Sequence, residues 1–375
     1  MKVPAARICF PEEDRREILQ CVDQILASGQ LTLGRYGSEF EQAYAKRTGR
    51  RFGIAVNSGT SALEIALRCI GAKGYNVVVP TNTFFATPAS VIHAGGDVVF
   101  TDIDEHLCMD AESLEHNIDK RTKAVIIVHI GGLVVPQIHQ IQEICREKGI
   151  CLIEDAAHAH GSTYEGRPAG GFGDIGCFSF YPTKVITSVE GGLIVTNDPK
   201  VDAKARVLRD QGKGSFQANH HTEMGNNWRM SELHAAVGLS QLKRLDEFIR
   251  DRRGVAALYS RELKSVEGID LISVPGGADP NYYKYVLLLK GISERAEIKK
   301  RMREKHEVSL SGEVYELPCH KQPVFADLPS AMKEYPRAED LCARHICLPV
   351  YPRMTEEETM HVIESMKEVM RCVSG

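Results

Sequence analysis

Short apolar runs alternate with helix-like segments through the first half of this chain, and this alternation constrains the fold most. The runs are rich in Val and Ile, as strands covered on both faces are. They lie at residues 77–80, 97–100, 124–128 and 151–154, and the helix-like segments at 84–94, 111–118 and 136–148. Strand–helix–strand alternation predicts an α/β fold with a mainly parallel sheet flanked by helices.

The length of the chain predicts a second domain. Its 375 residues exceed the roughly 250–300 that one hydrophobic core usually supports. Later elements are predicted as a helical region at 227–262, a strand at 283–289, a charged helix near 294–305 and a helix from Thr355. Thr355 and Glu358 have the spacing of a capping box, which marks a helix start. We therefore predict a large domain with an N-terminal arm, 1–245, and a smaller α+β domain, 246–375.

Composition and charge argue against several functions. A net charge of −4, with acidic and basic residues interleaved, provides no basic surface for nucleic acid. No apolar run reaches the roughly 18 residues of a membrane helix, and the first residues lack a signal-peptide pattern. Eleven scattered cysteines without Cys-x-x-Cys, and dispersed histidines, indicate neither a disulfide framework nor a metal site. We expect a cytoplasmic protein without nucleic-acid, membrane or metal partners.

Lys184 and Asp155 indicate the chemistry of the chain. Asp155 ends a predicted strand, at the edge where open α/β sheets place ligands, and Lys184 follows 29 positions later. A lysine that forms a Schiff base, and a carboxylate that keeps a pyridine nitrogen protonated, are what pyridoxal 5′-phosphate requires. To act as nucleophile and base, Lys184 needs a pKa lowered by burial or by neighbouring cations. The sequence therefore predicts this cofactor, with Lys184 and Asp155 as catalytic residues.

A phosphate site is predicted at Ser58, Gly59 and Thr60. These residues directly precede a helical apolar stripe, so they lie at a helix N-terminus. Free N–H groups and the helix dipole favour an anion there. The alternative is simple N-capping by Asn57 or Ser58.

Four further side chains are weaker candidates. Of Phe84 and Phe85, one is expected to stack on a planar cofactor and the other to face the core. His158 is placed to reach the phenolic oxygen of the cofactor, or is structural. Glu190 precedes two glycines that let the backbone turn close to the cofactor, or it forms a local salt bridge.

Several segments together resemble the DegT/DnrJ/EryC1/StrS aminotransferases. These are fold-type I pyridoxal phosphate enzymes, similar to aspartate aminotransferase, which mostly aminate nucleotide-linked keto-sugars. The segments that carry the resemblance are Ser58–Leu63, Thr83–Thr87, Glu154–Gly161, Phe178–Lys184, Glu190–Gly192, Asn226–Glu232 and Leu348–Pro352. The resemblance therefore covers nearly the whole chain.

The resemblance implies a role for each matching position. Lys184 would form the internal aldimine and move the proton, while Asp155 would pair with the pyridine nitrogen. The other implied contacts are Phe84 on the ring face, His158 near the phenolic oxygen where the family commonly has Gln, Gly59, Thr60 and Ser179 on the phosphate, and His320 near a sugar nucleotide. Asn227 would reach the phosphate of a neighbouring subunit, which implies a homodimer with shared sites.

Three functional interpretations remain open at the level of sequence. The first is transfer of an amino group from L-glutamate, or glutamine, to a nucleotide-linked 4- or 3-keto-deoxysugar by a ping-pong mechanism. The second is the same chemistry on a non-nucleotide cyclic ketone such as a keto-inositol, since Gly131–Gly132 replaces the Tyr-Gly common in the family. The third is a cofactor-binding regulatory protein without turnover. Lys184 argues against the related sugar 3-dehydratases, which have His at that position.

Overall fold

A seven-stranded sheet forms the centre of the computed structural model, which describes residues 1–214, 220–290 and 295–373. Its strands are β1 Phe52–Val56, β2 Asn76–Pro80, β3 Asp97–Thr101, β4 Thr122–Val128, β5 Cys151–Asp155, β8 Ile175–Ser179 and β9 Gly192–Thr196. Between β5 and β8, the short strands β6 Thr163–Tyr164 and β7 Arg167–Pro168 form a hairpin. The order across the large sheet is β1-β9-β8-β5-β4-β2-β3.

The large sheet is mainly parallel, as predicted. The register pairs β3 with β2, β2 with β4, β4 with β5 and β5 with β8 in parallel, whereas β9 runs antiparallel to both β8 and β1. The predicted strands appear as β2 to β5, and β2 is buried along its whole length. Because β5 and β8 are parallel neighbours, their carboxyl ends, Asp155 and Ser179, lie at the same edge of the sheet.

Helices cover both faces of the sheet and build the second region. They are α1 Glu12–Ser28, α2 Arg35–Arg47, α3 Gly59–Cys69, α4 Ala86–His93, α5 Ala111–Asn117, α6 Ile138–Lys148, α7 Pro199–Arg209, α8 Glu232–Lys243, α9 Leu245–Leu263, α10 Arg295–His306, α11 Pro336–Arg344 and α12 Glu356–Val373. Short 3₁₀ turns lie at Ile130–Gly132, Cys319–Lys321, Pro323–Phe325 and Pro329–Met332.

The predicted helical region 227–262 was wrong in its start and its continuity. Helix α8 begins at Glu232 because the Ser231 hydroxyl caps it, accepting a hydrogen bond from the His234 N–H at 3.3 Å. The region then breaks at Arg244, which ends α8 and precedes α9. The Arg244 guanidinium reaches back to Asp14 of α1, at 2.7 Å. The break therefore lies where the N-terminal arm is tied to the body.

The C-terminal part forms a small antiparallel sheet with its own core. Strands β10 Ile269–Leu271, β12 Tyr285–Leu289 and β13 His345–Leu348 pair in that order, and β11 Ala278–Asp279 joins β6. Apolar residues of α9, α10 and α12 pack with this sheet, and Val3 of the N-terminus joins them. Residues such as Phe325 and Leu341 pack instead with the core of the large sheet. We retain 1–245 and 246–375 as a proposed division.

The predicted capping box at the start of α12 is confirmed. The Glu358 N–H donates to Thr355 Oγ1, and the Thr355 N–H donates to a Glu358 carboxylate oxygen, both at 3.0 Å. Each side chain therefore satisfies a backbone donor that the helix leaves free.

Two general features concern the chain as a whole. Within the described ranges, helices that are both long and apolar enough to cross a membrane are absent. All eleven cysteines are free thiols.

Candidate active site

A cavity of about 480 Å³ opens at the carboxyl edge of the large sheet. Its walls come from the ends of β4, β5 and β8, the first turn of α3 and loops of the C-terminal region. The predicted site residues that line it are Ser58, Gly59, Thr60, Phe84, Asp155, His158, Ser179, Lys184 and Glu190. Residues separated by more than 130 positions in sequence thus meet in one cavity.

The first turn of α3 forms a small polar cradle in this cavity. Ser58 caps the helix, because its Oγ accepts a hydrogen bond from the Ser61 N–H at 3.1 Å. Gly59 and Thr60 follow, and N–H groups of a first turn have no partner inside the helix. A Cβ on Gly59 would lie only 2.7 Å from the Ser179 Cβ, so only glycine permits this approach. Ser58 therefore acts as a cap, and the cradle beside it remains open to an anion.

Asp155 is held with one defined orientation. Its Oδ2 accepts a hydrogen bond from Thr87 Oγ1 at 2.8 Å, and its Oδ1 accepts one from the Ala157 N–H at 3.2 Å. Burial raises the pKa of this carboxyl, while Thr87, Ala157 and Lys184 oppose the rise. Glu154 faces the other side of the sheet, where it accepts hydrogen bonds from the backbone N–H groups of Gly170, Phe172 and Gly173.

Lys184 lies in the loop after β8 and is half-buried. Its Nζ is 5.0 Å from the centroid of the Tyr283 ring. Burial lowers the pKa of Lys184 to about 8, and the attraction of Asp155 opposes this change. The amine is therefore neutral in a larger fraction of molecules at neutral pH than an exposed lysine, as a nucleophile requires.

His158 is a neutral imidazole in an aromatic wall. Its ring lies 4.3 Å from that of Tyr283, and its Nε2 is 3.2 Å from the Tyr315 hydroxyl. Burial, together with the cations Lys184 and Lys284, brings its pKa well below the usual range. Among the described residues, its buried Nδ1 has no hydrogen-bond partner. A polar atom buried without a partner is a place for a ligand to contact.

Phe84 and Phe85 do not divide between the site and the core as expected. Phe84 lines the cavity, 55% exposed, with its ring centroid 5.8 Å from that of Tyr315. Phe85 stacks on Phe325 at 5.6 Å but is still 47% exposed. Phe84 therefore faces the cavity as expected, whereas Phe85 packs against Phe325 without being buried in the core.

Two predicted site residues lie outside the cavity. His320 is buried, with Nδ1 at 2.5 Å from Thr81 Oγ1 and Nε2 at 3.1 Å from a carboxylate oxygen of Glu339. With both ring nitrogens engaged, His320 holds its turn against the end of β2, and we leave it out of the proposed substrate contacts. Asn227 is exposed, and its backbone carbonyl oxygen accepts a hydrogen bond from Asn57 Nδ2 at 3.3 Å.

Sequence reasoning missed Thr87, Tyr283, Tyr315 and Lys284. Thr87 lies in the quoted segment Thr83–Thr87, but the sequence gives no sign that its hydroxyl reaches a strand 68 positions away. Tyr283 was predicted only as part of a strand, which begins at Tyr285 instead. Tyr283, Lys284 and Tyr315 lie in irregular segments, which carry no periodic signal, so only the folded chain brings them to the cavity.

The residues present fit pyridoxal phosphate. The cradle of α3 suits a phosphate, Asp155 suits a pyridine nitrogen and the Lys184 amine suits an aldehyde. The unpartnered Nδ1 of His158 offers a further polar contact within the same cavity. All four features line one space, as binding of a single small molecule requires.

Comparisons with known proteins identify the family of this chain. The model of the DegT/DnrJ/EryC1/StrS aminotransferase family matches residues 12–367. The dTDP-3-amino-3,4,6-trideoxy-alpha-D-glucose transaminase of Micromonospora megalomicea subsp. nigra is 35% identical over 365 residues, 96% of each chain. The GDP-perosamine synthase of Caulobacter vibrioides is 33% identical over 377 residues. The match covers 98% of this chain and 99% of that protein.

A solved structure gives the same fold with the cofactor in place. NtdA from Bacillus subtilis, determined with bound PMP, superposes with a TM-score of 0.91 at 27% identity, over 99% of this chain and 85% of that chain. PMP is the amino form of pyridoxal phosphate, which the enzyme alternates with the aldehyde form. The chain therefore belongs to the DegT/DnrJ/EryC1/StrS family and is an aminotransferase with pyridoxal 5′-phosphate as its cofactor.

Proposed function

We propose that this enzyme transfers the amino group of L-glutamate, or glutamine, to a nucleotide-linked 4- or 3-keto-deoxysugar by a ping-pong mechanism. The observation that carries the proposal is the meeting of Lys184, Asp155 and the α3 cradle in one cavity. The sugar-nucleotide class rests on the relatives, whose names include products linked to dTDP and to GDP. Because dTDP and GDP differ, we propose the class of nucleotide-linked sugars and do not name one nucleotide.

The bound cofactor supplies an aldehyde carbon and a pyridine ring that withdraws electrons from the reacting carbon. The chain would hold it at both ends, with Gly59, Thr60 and Ser179 at the phosphate and Asp155 at the ring nitrogen. Phe84 would cover one face of the ring, and His158 Nδ1 would contact the phenolic oxygen. These contacts would fix the ring so that Lys184 Nζ stays beside the reacting carbon.

Lys184 moves the proton in this proposal. Its pKa of about 8 lets the free amine accept a proton from the donor carbon and return it to the neighbouring position near neutral pH. Asp155 remains a carboxylate when it faces a protonated ring nitrogen, because an opposite charge at short range favours its ionised form. Glu190 lines the cavity and is the proposed protein contact to the polar acceptor.

We further propose that the enzyme works as a homodimer in the cytoplasm. Asn227 is exposed and lies outside the cavity of its own subunit, so it is available to a second copy. Phe84 and Tyr181 line the cavity while 55% and 48% exposed, and a second subunit would cover them.

The test is a two-stage assay with purified holoenzyme. Mixing with ¹⁵N-labelled L-glutamate is expected to bleach the cofactor absorbance and to release 2-oxoglutarate. Adding a panel of nucleotide keto-sugars, alongside a keto-inositol, is expected to restore the absorbance and to yield a ¹⁵N-labelled amino sugar. Labelling of the cyclitol alone would favour the non-nucleotide ketone as the acceptor. If no amino acid bleaches the cofactor absorbance, transamination is contradicted.

A further inference from the structure

Lys284 is a cation of the cavity that the chemistry above does not use. Among the other charged groups of the cavity, Asp155 is the proposed partner of the ring nitrogen and Glu190 the proposed contact to the acceptor, while Glu313 binds Lys299 at 2.7 and 2.9 Å. Within the described part of the chain, Lys284 Nζ has neither a carboxylate within ion-pair distance nor a hydrogen-bond acceptor. A half-buried ammonium that lines a binding cavity without a counter-ion is positioned to receive an anionic ligand.

The backbone fixes Lys284 close to the reacting amine. Its N–H donates to the Gly131 carbonyl oxygen at 3.0 Å, where the chain enters β12. Its Nζ lies 5.4 Å from the Tyr283 ring centroid, and Lys184 Nζ lies 5.0 Å from the same centroid. The two nitrogens are thus separated by roughly 10 Å at most, with one aromatic ring supporting both.

This separation accommodates an amino acid with an acidic side chain. A donor places its α-nitrogen where the Lys184 amine reacts. In extended L-glutamate the side-chain carboxylate lies roughly 5–6 Å from that nitrogen, as bond lengths near 1.5 Å dictate. Adding one N⁺–H···O⁻ hydrogen bond of about 2.8 Å gives roughly 8–9 Å, which lies within the upper bound of roughly 10 Å between the two nitrogens. Glutamine has the same length but presents a neutral amide, and hydrogen bonds between two charged groups are about twice as strong.

We propose that Lys284 binds the side-chain carboxylate of the amino donor and so selects L-glutamate over L-glutamine. This inference rests on the proposed function, and it deepens that function by naming the donor and the residue that recognises it. The alternative ligand of the Lys284 ammonium is a phosphate of the acceptor. Measuring the donor and acceptor half-reactions separately distinguishes the two roles.

The experiment compares both half-reactions in wild-type holoenzyme and in Lys284→Gln, with Lys284→Arg as the charge-retaining variant. Stopped-flow absorbance gives the second-order rate constant for each donor. In Lys284→Gln, the constant for L-glutamate is expected to fall about 10- to 100-fold, the range for one charge-assisted hydrogen bond. The constant for L-glutamine is expected to change by less than about threefold, and Lys284→Arg to recover part of the glutamate rate.

A binding measurement and a matched control complete the design. Calorimetry with glutarate, a dicarboxylate without an amino group, is expected to show weaker binding to Lys284→Gln holoenzyme at unchanged cofactor content. Lys290→Gln is the control, because Lys290 lies just past the other end of β12, 59% exposed and 3.5 Å from Asp270, outside the cavity.

Three results would overturn the assignment. They are an unchanged glutamate constant in Lys284→Gln, equal losses for both donors, and a loss confined to the acceptor half-reaction, which would assign Lys284 to the acceptor phosphate. If neither donor bleaches the wild-type enzyme, the result contradicts the proposed function itself and not only the assignment of Lys284.

Discussion

At the scale of single residues, Asp155 is the proposed partner of the cofactor's ring nitrogen, and in that role it would control how strongly the ring withdraws electrons. The hydrogen bonds from Thr87 and the Ala157 N–H leave lone pairs on both oxygens for the ring nitrogen. Asp155→Asn keeps the shape but removes the charge, so we expect the half-reaction with glutamate to slow at least about 100-fold, or about 2.7 kcal/mol of barrier. Stopped-flow spectroscopy measures this rate, with Asp270→Asn, an exposed carboxylate on β10, as the control. An unchanged rate would remove Asp155 from this role.

The lowered pKa of Lys184 predicts a pH dependence for cofactor attachment. Only the neutral amine attacks the aldehyde, and burial lowers the pKa of Lys184 to about 8. In apoenzyme mixed with pyridoxal phosphate, the attachment rate is expected to rise about tenfold per pH unit below pH 8 and to level off above it. Lys184→Ala is expected to bind the cofactor without covalent attachment. A rate that still rises steeply above pH 10 would show that the amine is not perturbed.

At the scale of elements, the sequence predicted the strands and motifs that are determined by a local residue pattern. Strands β2 to β5 were identifiable because they are apolar on both faces, and Lys184, Asp155 and the α3 cradle lie in short linear segments. Strand β8 contains a glycine within five residues and β9 begins at the second of two glycines, so neither has a distinctive period. The contacts of Tyr283 and Tyr315 arise from loops, where the fold alone decides the neighbours. His320 was expected near the substrate from its motif but lies outside the cavity. The motif did not reveal that Thr81 and Glu339 engage both of its ring nitrogens.

The capping box of α12 gives a prediction at the same scale. Thr355→Ala removes the hydroxyl that accepts the Glu358 N–H, so the free energy of unfolding is expected to fall by about 1 kcal/mol. Urea unfolding followed by circular dichroism measures the change, with Glu357→Ala, an exposed residue of the same turn, as the comparison. The glutamate half-reaction is expected to keep its wild-type rate, because α12 does not line the cavity. Equal stability of the two variants would contradict the assigned cap.

At the scale of the whole molecule, the proposed dimer predicts that active sites are shared. If Asn227 completes the phosphate site of its partner, each functional site combines Lys184 of one subunit with Asn227 of the other. A hybrid of Asn227→Ala and Lys184→Ala subunits then has one intact site and one site with both lesions. The commonest oligomers are two-fold dimers, in which the two subunits contribute identical surfaces, so this exchange is symmetric.

Co-expression of the two variants with different affinity tags provides the measurement. Random pairing makes about half of the dimers hybrid, so about one quarter of wild-type activity is expected from the mixture, and about half from doubly purified hybrids. Each variant expressed alone must be nearly inactive, which is the control. If Asn227 acted within its own subunit, every hybrid site would carry one lesion and activity would not recover. Purified hybrids without activity would therefore contradict the shared site, and a fully active monomer in sedimentation would contradict the dimer.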